Sequence, residues 1–160
     1  MLRTLNELFR TLVEPPPATR HAPDEHVLQL ATAVLLVEMM RIDAHSAPEE
    51  RRAVLDALRA KFDLTADELA RLFELAETES REASDFYRFT SQLNKGYSVE
   101  QKLRIVENLW RVALADGHLS HHENHLMRKL VDLLHISHAD NIAAKQRARD
   151  AAAPHMPQGG

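Results

Sequence analysis

Apolar residues recur along most of this chain at the spacing of an α-helix, and almost no segment shows the strict alternation of a β-strand. The run EHVLQLATAVLLVEMMRI, which follows Asp24, is apolar on most of its faces and predicts a central, buried helix. The run VEQKLRIVENLWRVALA, which follows Ser98, predicts another strongly apolar helix. The pattern therefore predicts an all-α, single-domain helical bundle of about seven to eight helices.

Proline and capping residues predict where the remaining helices begin. Pro48 stands near the first position of a helix over EERRAVLDALRAKF. Thr65 and Glu68 have the spacing of a capping box, in which each side chain bonds the backbone amide of the other residue, and they predict a helix over ADELARLFELAETES. Further helices are predicted from about Ser84 to Leu93, after Ser120, and over HADNIAAKQRARDAA.

The two ends of the chain differ from its middle. Residues 1–14 place a stripe of apolar residues on one helical face, which predicts a short amphipathic helix: Leu2, Leu5, Leu8, Phe9 and Leu12. Three consecutive prolines stop this helix and predict a stiff linker over residues 15–23. The main helical domain is then predicted over residues 24–150, followed by a disordered tail over residues 151–160.

The composition suits a soluble globular protein with a sizeable core. The chain has 160 residues, of which 44% are apolar and 28% are charged, and this length suits one domain. Apolar residues at helical spacing are predicted to form the core, with the hydroxyl of Tyr87 reaching the surface: Leu30, Val34, Val37, Phe86, Tyr87, Phe89, Leu103, Val106, Trp110 and Leu114.

Charge and cysteine content narrow the function classes. The formal net charge of -4 does not suit a nucleic-acid-binding protein, which usually carries a basic excess. The absence of cysteine excludes disulfides and thiolate zinc sites, so any metal must bind to carboxylate, imidazole, carbonyl or water. The longest apolar run, AVLLVEMM, is too short for a membrane span, and the N-terminus lacks the apolar segment of a signal peptide. We therefore expect a cytoplasmic protein without a direct membrane span.

A short pattern of polar residues occurs twice, each time after a predicted buried helix. In the first copy Asp43 precedes Glu50, and in the second copy Asp116 precedes Glu123 at the same spacing. A histidine follows each aspartate by two residues. This correspondence predicts a pseudo-duplicated helix–loop–helix unit.

Two interpretations of the second copy are open. Gly117, Ser120 and Glu123 suit a helix end followed by a capping box, and capping and turn chemistry alone could account for them. Asp116 is harder to explain in this way, because the dipole at the C-terminal end of a helix disfavours a negative charge. A divalent cation held by oxygen ligands would explain it. The candidate metal ligands are therefore the four carboxylates of the repeat: Asp116, Glu123, Asp43 and Glu50.

Several histidines crowd the same segment: His118, His121, His122 and His125. Pairs four residues apart share a helix face and could bind zinc, nickel or copper. The run HHENH nevertheless lacks the H-E-x-x-H order of the zinc proteases. Exposed surface histidines are the favoured interpretation, because loop and first-turn positions are usually exposed.

At these residues the chain resembles the TerB-like family, that is, the tellurite-resistance TerB domain in its broad sense. The family signature is a helix ending in Ala-x-x-Asp-Gly, then a polar helix start with a glutamate seven residues after the aspartate, and residues 113–123 match it closely. The first copy departs from it, since Ala44 replaces the glycine and Ser46 stands where an apolar residue is usual. The resemblance implies a helical bundle whose two loops lie close together, with an acidic patch for a divalent metal. It also implies a role in stress-response assemblies near the membrane.

Three functional hypotheses follow. The first is a non-enzymatic interaction module in a tellurite-response assembly, which binds a protein partner, itself membrane-associated, through the face of the four carboxylates, with Ca²⁺, Mg²⁺ or Mn²⁺ favoured over Zn²⁺. The sequence contains no nucleophile elbow, phosphate loop or dinucleotide fingerprint. The second is a metal-dependent enzyme that uses the histidines and carboxylates. The third is a scaffold whose N-terminal helix engages a partner or a second copy of the chain.

Overall fold

The computed structural model describes residues 24–42 and 48–152, and within these ranges all regular secondary structure is helical. The predicted all-α class is therefore confirmed. The helices are α1 (Glu25–Arg41), α2 (Pro48–Lys61), α3 (Ala66–Glu82), α4 (Tyr87–Gly96), α5 (Val99–Ala113), α6 (His121–Leu133) and α7 (His138–Ala152). Within the same two ranges, no helix has the length and apolarity that a membrane crossing requires.

Two predicted boundaries differ from the structure. Helix α4 begins at Tyr87 rather than near Ser84, because the side chain of Asp85 accepts a hydrogen bond from the Tyr87 amide at 2.9 Å and turns the chain into the helix there. Helix α7 continues to Ala152, so the first two residues of the predicted tail are helical. The predicted N-terminal helix, the predicted linker and the rest of the predicted tail lie outside the described residues.

Helix α1 is the centre of the bundle. Every residue from Val27 to Met40 is buried, as the apolar character of all its faces predicts. Helices α2, α3, α4, α5 and α6 all contact it. Its buried Thr32 hydroxyl donates to the carbonyl of Leu28 at 2.8 Å, so this polar group is satisfied within the helix itself.

Helix α5 is the second organising element, since it contacts α1, α2, α6 and α7. Trp110 is 3% exposed, and its indole N–H donates to the side-chain oxygen of Asn141 at 2.9 Å, which joins α5 to α7. The ammonium of buried Lys102 donates to Asn94 at 3.0 Å and to the carbonyl of Leu134 at 2.9 Å. One lysine therefore links α5 to α4 and to the C-terminal end of α6.

Most of the predicted core residues are buried. Phe86 and Phe89 are buried, and their rings lie 6.3 Å apart. Leu103 and Leu114 are partly buried and pack against the core. The prediction was wrong for Tyr87, which is 66% exposed. Phe86 and Phe89 are three residues apart and share the inward face at the start of α4, so the two residues between them, Tyr87 and Arg88, point outward.

Helix ends follow local capping rules. The predicted capping box of Thr65 and Glu68 is present at the start of α3, and a further box begins α5. Helix α6 ends in a Schellman motif, in which the Ile136 amide donates to the carbonyl of Val131 at 3.1 Å. His135 occupies the left-handed position of this motif with a φ of 59°.

Gly96 marks a close approach between α4 and α1. A Cβ atom at this position would lie 2.6 Å from the Cδ2 atom of Leu28, whose side chain is buried in the core. We expect Gly96→Ala to lower the free energy of unfolding by about 1–3 kcal/mol, because the buried leucine must shift to make room. Urea denaturation measures this difference.

A double-mutant cycle identifies the cause of the loss. In a Leu28→Ala background the obstructing methyl groups are gone, so adding Gly96→Ala should cost little further stability. Equal losses in the two backgrounds would show that the contact with Leu28 is not responsible.

Candidate functional site

The loop between α5 and α6 carries the second copy of the repeat, and its shape depends on Gly117. This glycine has a φ of +84°, as its place after a helix end predicts, and its amide donates to the carbonyl of Leu114 at 2.9 Å. A Cβ atom at Gly117 would meet nothing within 4 Å. The position therefore requires glycine for its backbone conformation rather than for space.

Asp116 has a local role that the sequence analysis did not predict. Helix α5 ends at Ala113, so Asp116 lies beyond its last turn. The Oδ1 atom of Asp116 accepts a hydrogen bond from the His118 amide at 2.9 Å, which is an Asx turn. One oxygen of this carboxylate thus stabilises the loop. This hydrogen bond explains in part why an aspartate stands near the C-terminal end of α5, where the helix dipole disfavours a negative charge.

Glu123 combines a capping role with complete burial. Its Oε1 atom accepts a hydrogen bond from the Ser120 amide at 2.9 Å, and its own amide donates to the Ser120 hydroxyl at 3.0 Å, so the predicted capping box is present. The side chain is buried, at 0% exposure. Its Oε2 atom receives no hydrogen bond from any residue that the structure describes. A buried acceptor left in this state costs about 1–3 kcal/mol, so it calls for a specific explanation.

Glu50 occupies the matching place in the first copy of the repeat. It is the third residue of α2, as Glu123 is the third residue of α6, and it is only 1% exposed. The two copies of the repeat therefore match in structure as well as in sequence spacing, since both bury their glutamate at the same helical position. Asp43, the fourth predicted ligand, lies outside the described residues.

Helical spacing explains the burial of both glutamates. Residues separated by three, four, seven or eight positions share one face of a helix. The buried residues with this spacing are Glu50, Val54, Ala57 and Leu58 in α2, and Glu123, Leu126, Met127 and Leu130 in α6. The burial of the two glutamates was not predicted from the sequence, although the apolar residues that follow each glutamate carry the signal.

The histidines of the segment lie in a different environment from Glu123. His118, His121, His122 and His125 are all exposed, as the surface interpretation predicts. The last three line an apolar cleft of about 420 Å³ together with Phe86 and Leu126. Within residues 24–42 and 48–152, no three histidine, aspartate or glutamate side chains form a group that could hold a metal ion.

The conformation of the loop can be tested through the two left-handed positions of the bundle. We expect Gly117→Ala to lower the free energy of unfolding by about 1–2 kcal/mol, because a Cβ atom disfavours positive φ. His135→Gly is the matched control, since it removes a Cβ atom from a left-handed position and should not destabilise the protein by the same mechanism. Thermal or urea denaturation distinguishes the two variants. A Gly117→Ala protein as stable as the parent would contradict this account of the loop.

Comparison with known proteins identifies the family of this chain. The family model described as "Tellurite resistance protein TerB" matches residues 29–146, which is more than half of the chain and includes both copies of the repeat. Searches of curated proteins and of solved structures found no match. The resemblance inferred from the Asp-to-Glu repeat is confirmed, and the chain belongs to the TerB family of tellurite-resistance proteins.

Proposed function

We propose that this TerB-family chain is a non-enzymatic binding module of a tellurite-response assembly, and that it holds a divalent cation at Glu123, at the start of α6, when it binds a protein partner. The observation that carries the proposal is the Oε2 atom of Glu123. This oxygen is buried and receives no hydrogen bond from the described residues. A bound ion is one of the few explanations for such a group in a folded protein.

The capping box gives Glu123 a fixed direction. Because Oε1 is held by the Ser120 amide, the carboxylate cannot rotate freely, and Oε2 is presented in one orientation. A ligand that is already oriented loses little conformational entropy when a cation binds. Capping and cation binding are therefore compatible, since each uses a different oxygen of the same carboxylate.

The available donors favour a hard cation. The chain has no cysteine, and the candidate ligands Asp116, Glu123, Glu50 and Asp43 offer only carboxylate oxygens. The first three do not form one group in the structure, so the proposal rests on Glu123 and on the loop that carries Asp116. Oxygen ligands suit Ca²⁺, Mg²⁺ and Mn²⁺ better than Zn²⁺, which prefers imidazole and thiolate. A cation would also compensate the charge that the buried Glu123 brings into the bundle.

The loop before α6 connects such a site to the surface. Asp116 bonds the His118 amide, and His118 is exposed, so an ion that fixes Asp116 also fixes the backbone that a partner would contact. Cation binding and partner binding would then favour the same loop conformation and strengthen each other. This coupling supports a binding module rather than a site where bonds are made or broken.

Calorimetry with Ca²⁺, Mg²⁺, Mn²⁺ and Zn²⁺ tests the cation. We expect binding tighter than millimolar for at least one of the first three ions, and weakening by about tenfold or more in Glu123→Gln and in Asp116→Asn, because each variant loses a charged ligand. Glu68→Gln is the matched control, since Glu68 occupies the same capping-box position at the start of α3 but is not buried.

Several results would contradict the cation. They are the absence of binding tighter than millimolar, binding that survives in both Glu123→Gln and Asp116→Asn, or equal weakening in Glu68→Gln. Circular dichroism of each variant establishes that the helices are retained, so that a loss of binding is not a loss of fold.

The role in the tellurite response has a separate test in cells. In a host whose tellurite tolerance depends on this chain, Glu123→Gln should lower the tolerated tellurite concentration, whereas Glu68→Gln should leave it unchanged. The expectation rests on the family membership and on the buried oxygen of Glu123. A host that tolerates tellurite equally well with and without the coding sequence would overturn this part of the proposal.

A further inference from the structure

A second cleft lies between α2 and α5, and two positively charged side chains line it. Its volume is about 500 Å³, and Lys61, Tyr97, Gln101, Arg104 and Asn108 are among the residues that line it. This volume is within the range of sites that hold small molecules. None of these residues belongs to the Asp-to-Glu repeat, so the cleft is independent of the function proposed above.

Lys61 is held in place at the edge of this cleft. Its Nζ atom lies 4.8 Å from the centroid of the Tyr97 ring and 5.8 Å from the centroid of the Phe62 ring, which are cation–π distances. Among the described residues, no carboxylate forms an ion pair with this ammonium. The lysine is half-buried, and its position is therefore set by aromatic rings rather than by an opposite charge.

Arg104 adds a second positive charge to the same cleft. It is exposed and, in the described ranges, it too makes no ion pair with a carboxylate. Burial lowers the pKa of Lys61, the charge of Arg104 lowers it further, and the charge of Glu25 raises it. The two cations thus disfavour each other, and an anion bound between them would relieve this repulsion.

The carboxylates near the cleft do not cancel its charge. Glu107 lines it, but both of its oxygens are occupied at 2.8 Å, one by Arg111 and the other by Arg147. Glu25 is then the remaining carboxylate among the described lining residues, and its charge acts on Lys61. The described part of the cleft therefore keeps an excess of positive charge.

We propose that this cleft binds a small ligand through a phosphate or carboxylate group, with Lys61 and Arg104 as the two anchors. The planar guanidinium of Arg104 suits two oxygens of such a group, and the ammonium of Lys61 supplies a point charge. Asn108 adds an amide donor. Gln101 uses its side-chain oxygen to accept from the Ser98 amide at 2.9 Å, so its NH₂ group remains available to a ligand.

Tyr97 supports the same site as a neutral group. Burial raises the pKa of Tyr97 to about 12, so its hydroxyl is protonated at neutral pH and adds no negative charge to the cleft. Its ring contacts Lys61 from one side. The tyrosine thus orients the lysine and does not compete with an anionic ligand.

NMR titration of the isotope-labelled full chain tests the site. The probes are inorganic phosphate and, separately, acetate, each added at constant ionic strength against a chloride reference. We expect shift changes concentrated at Lys61, Tyr97, Gln101, Arg104 and Asn108, which saturate with at least one probe. The dissociation constant should rise about tenfold in Lys61→Gln and in Arg104→Gln, because each removes one charge-assisted hydrogen bond.

Matched controls separate a site from general attraction to positive charge. Lys95→Gln and Arg59→Gln remove the same charges from exposed positions outside the cleft, and they should leave the dissociation constant unchanged. Saturation by phosphate alone identifies a phosphate site, and saturation by acetate alone identifies a carboxylate site.

Three outcomes would overturn the proposal. They are the absence of saturation with both probes, shift changes spread over the exposed arginines and lysines, or equal weakening in the control variants. Arg104 is exposed, so Arg104→Gln should fold normally and keeps the test decisive even if Lys61→Gln is unstable.

Discussion

The burial of α1 on all of its faces is the constraint on which the rest of this structure depends. A helix whose residues from Val27 to Met40 are all buried has no face for solvent, so other helices must surround it. Five of the other described helices contact α1, and α7 instead packs against α5. The close approach of Gly96 to Leu28 is one consequence, because the helices around α1 must lie near enough to exclude water from it.

The same demand for burial determines the environment of the repeat. Helices α2 and α6 each direct an apolar face inward, and the first position of that face is a glutamate in both. A carboxylate is a costly residue to bury unless something compensates its charge. For Glu123 the capping box satisfies one oxygen and leaves the other without a donor in the described ranges. Because of this burial, a residue with a common capping role is also a candidate metal ligand.

The surface of the bundle shows two kinds of charged region. At the repeat, negative charge is directed into the protein, and loop residues such as Asp116 connect it to the exterior. In the cleft between α2 and α5, an aromatic ring positions the ammonium of Lys61. Glu107 does not cancel this positive charge, because both of its oxygens are bound by arginines. The two regions are made from different residues, so the two proposed sites are independent of each other.

The sequence by itself determined the elements of this protein, because their signals are local. Helical period, the capping boxes at Thr65 and Ser120, and the positive φ of Gly117 all depend on residues within a turn or two of each other. The family also followed from a short stretch of residues. Tertiary structure decided what local patterns could not: the burial of Glu50 and Glu123, the outward direction of Tyr87, and the meeting of Lys61 with Arg104 in one cleft. These properties depend on which helices pack together, and packing joins residues that are distant along the chain.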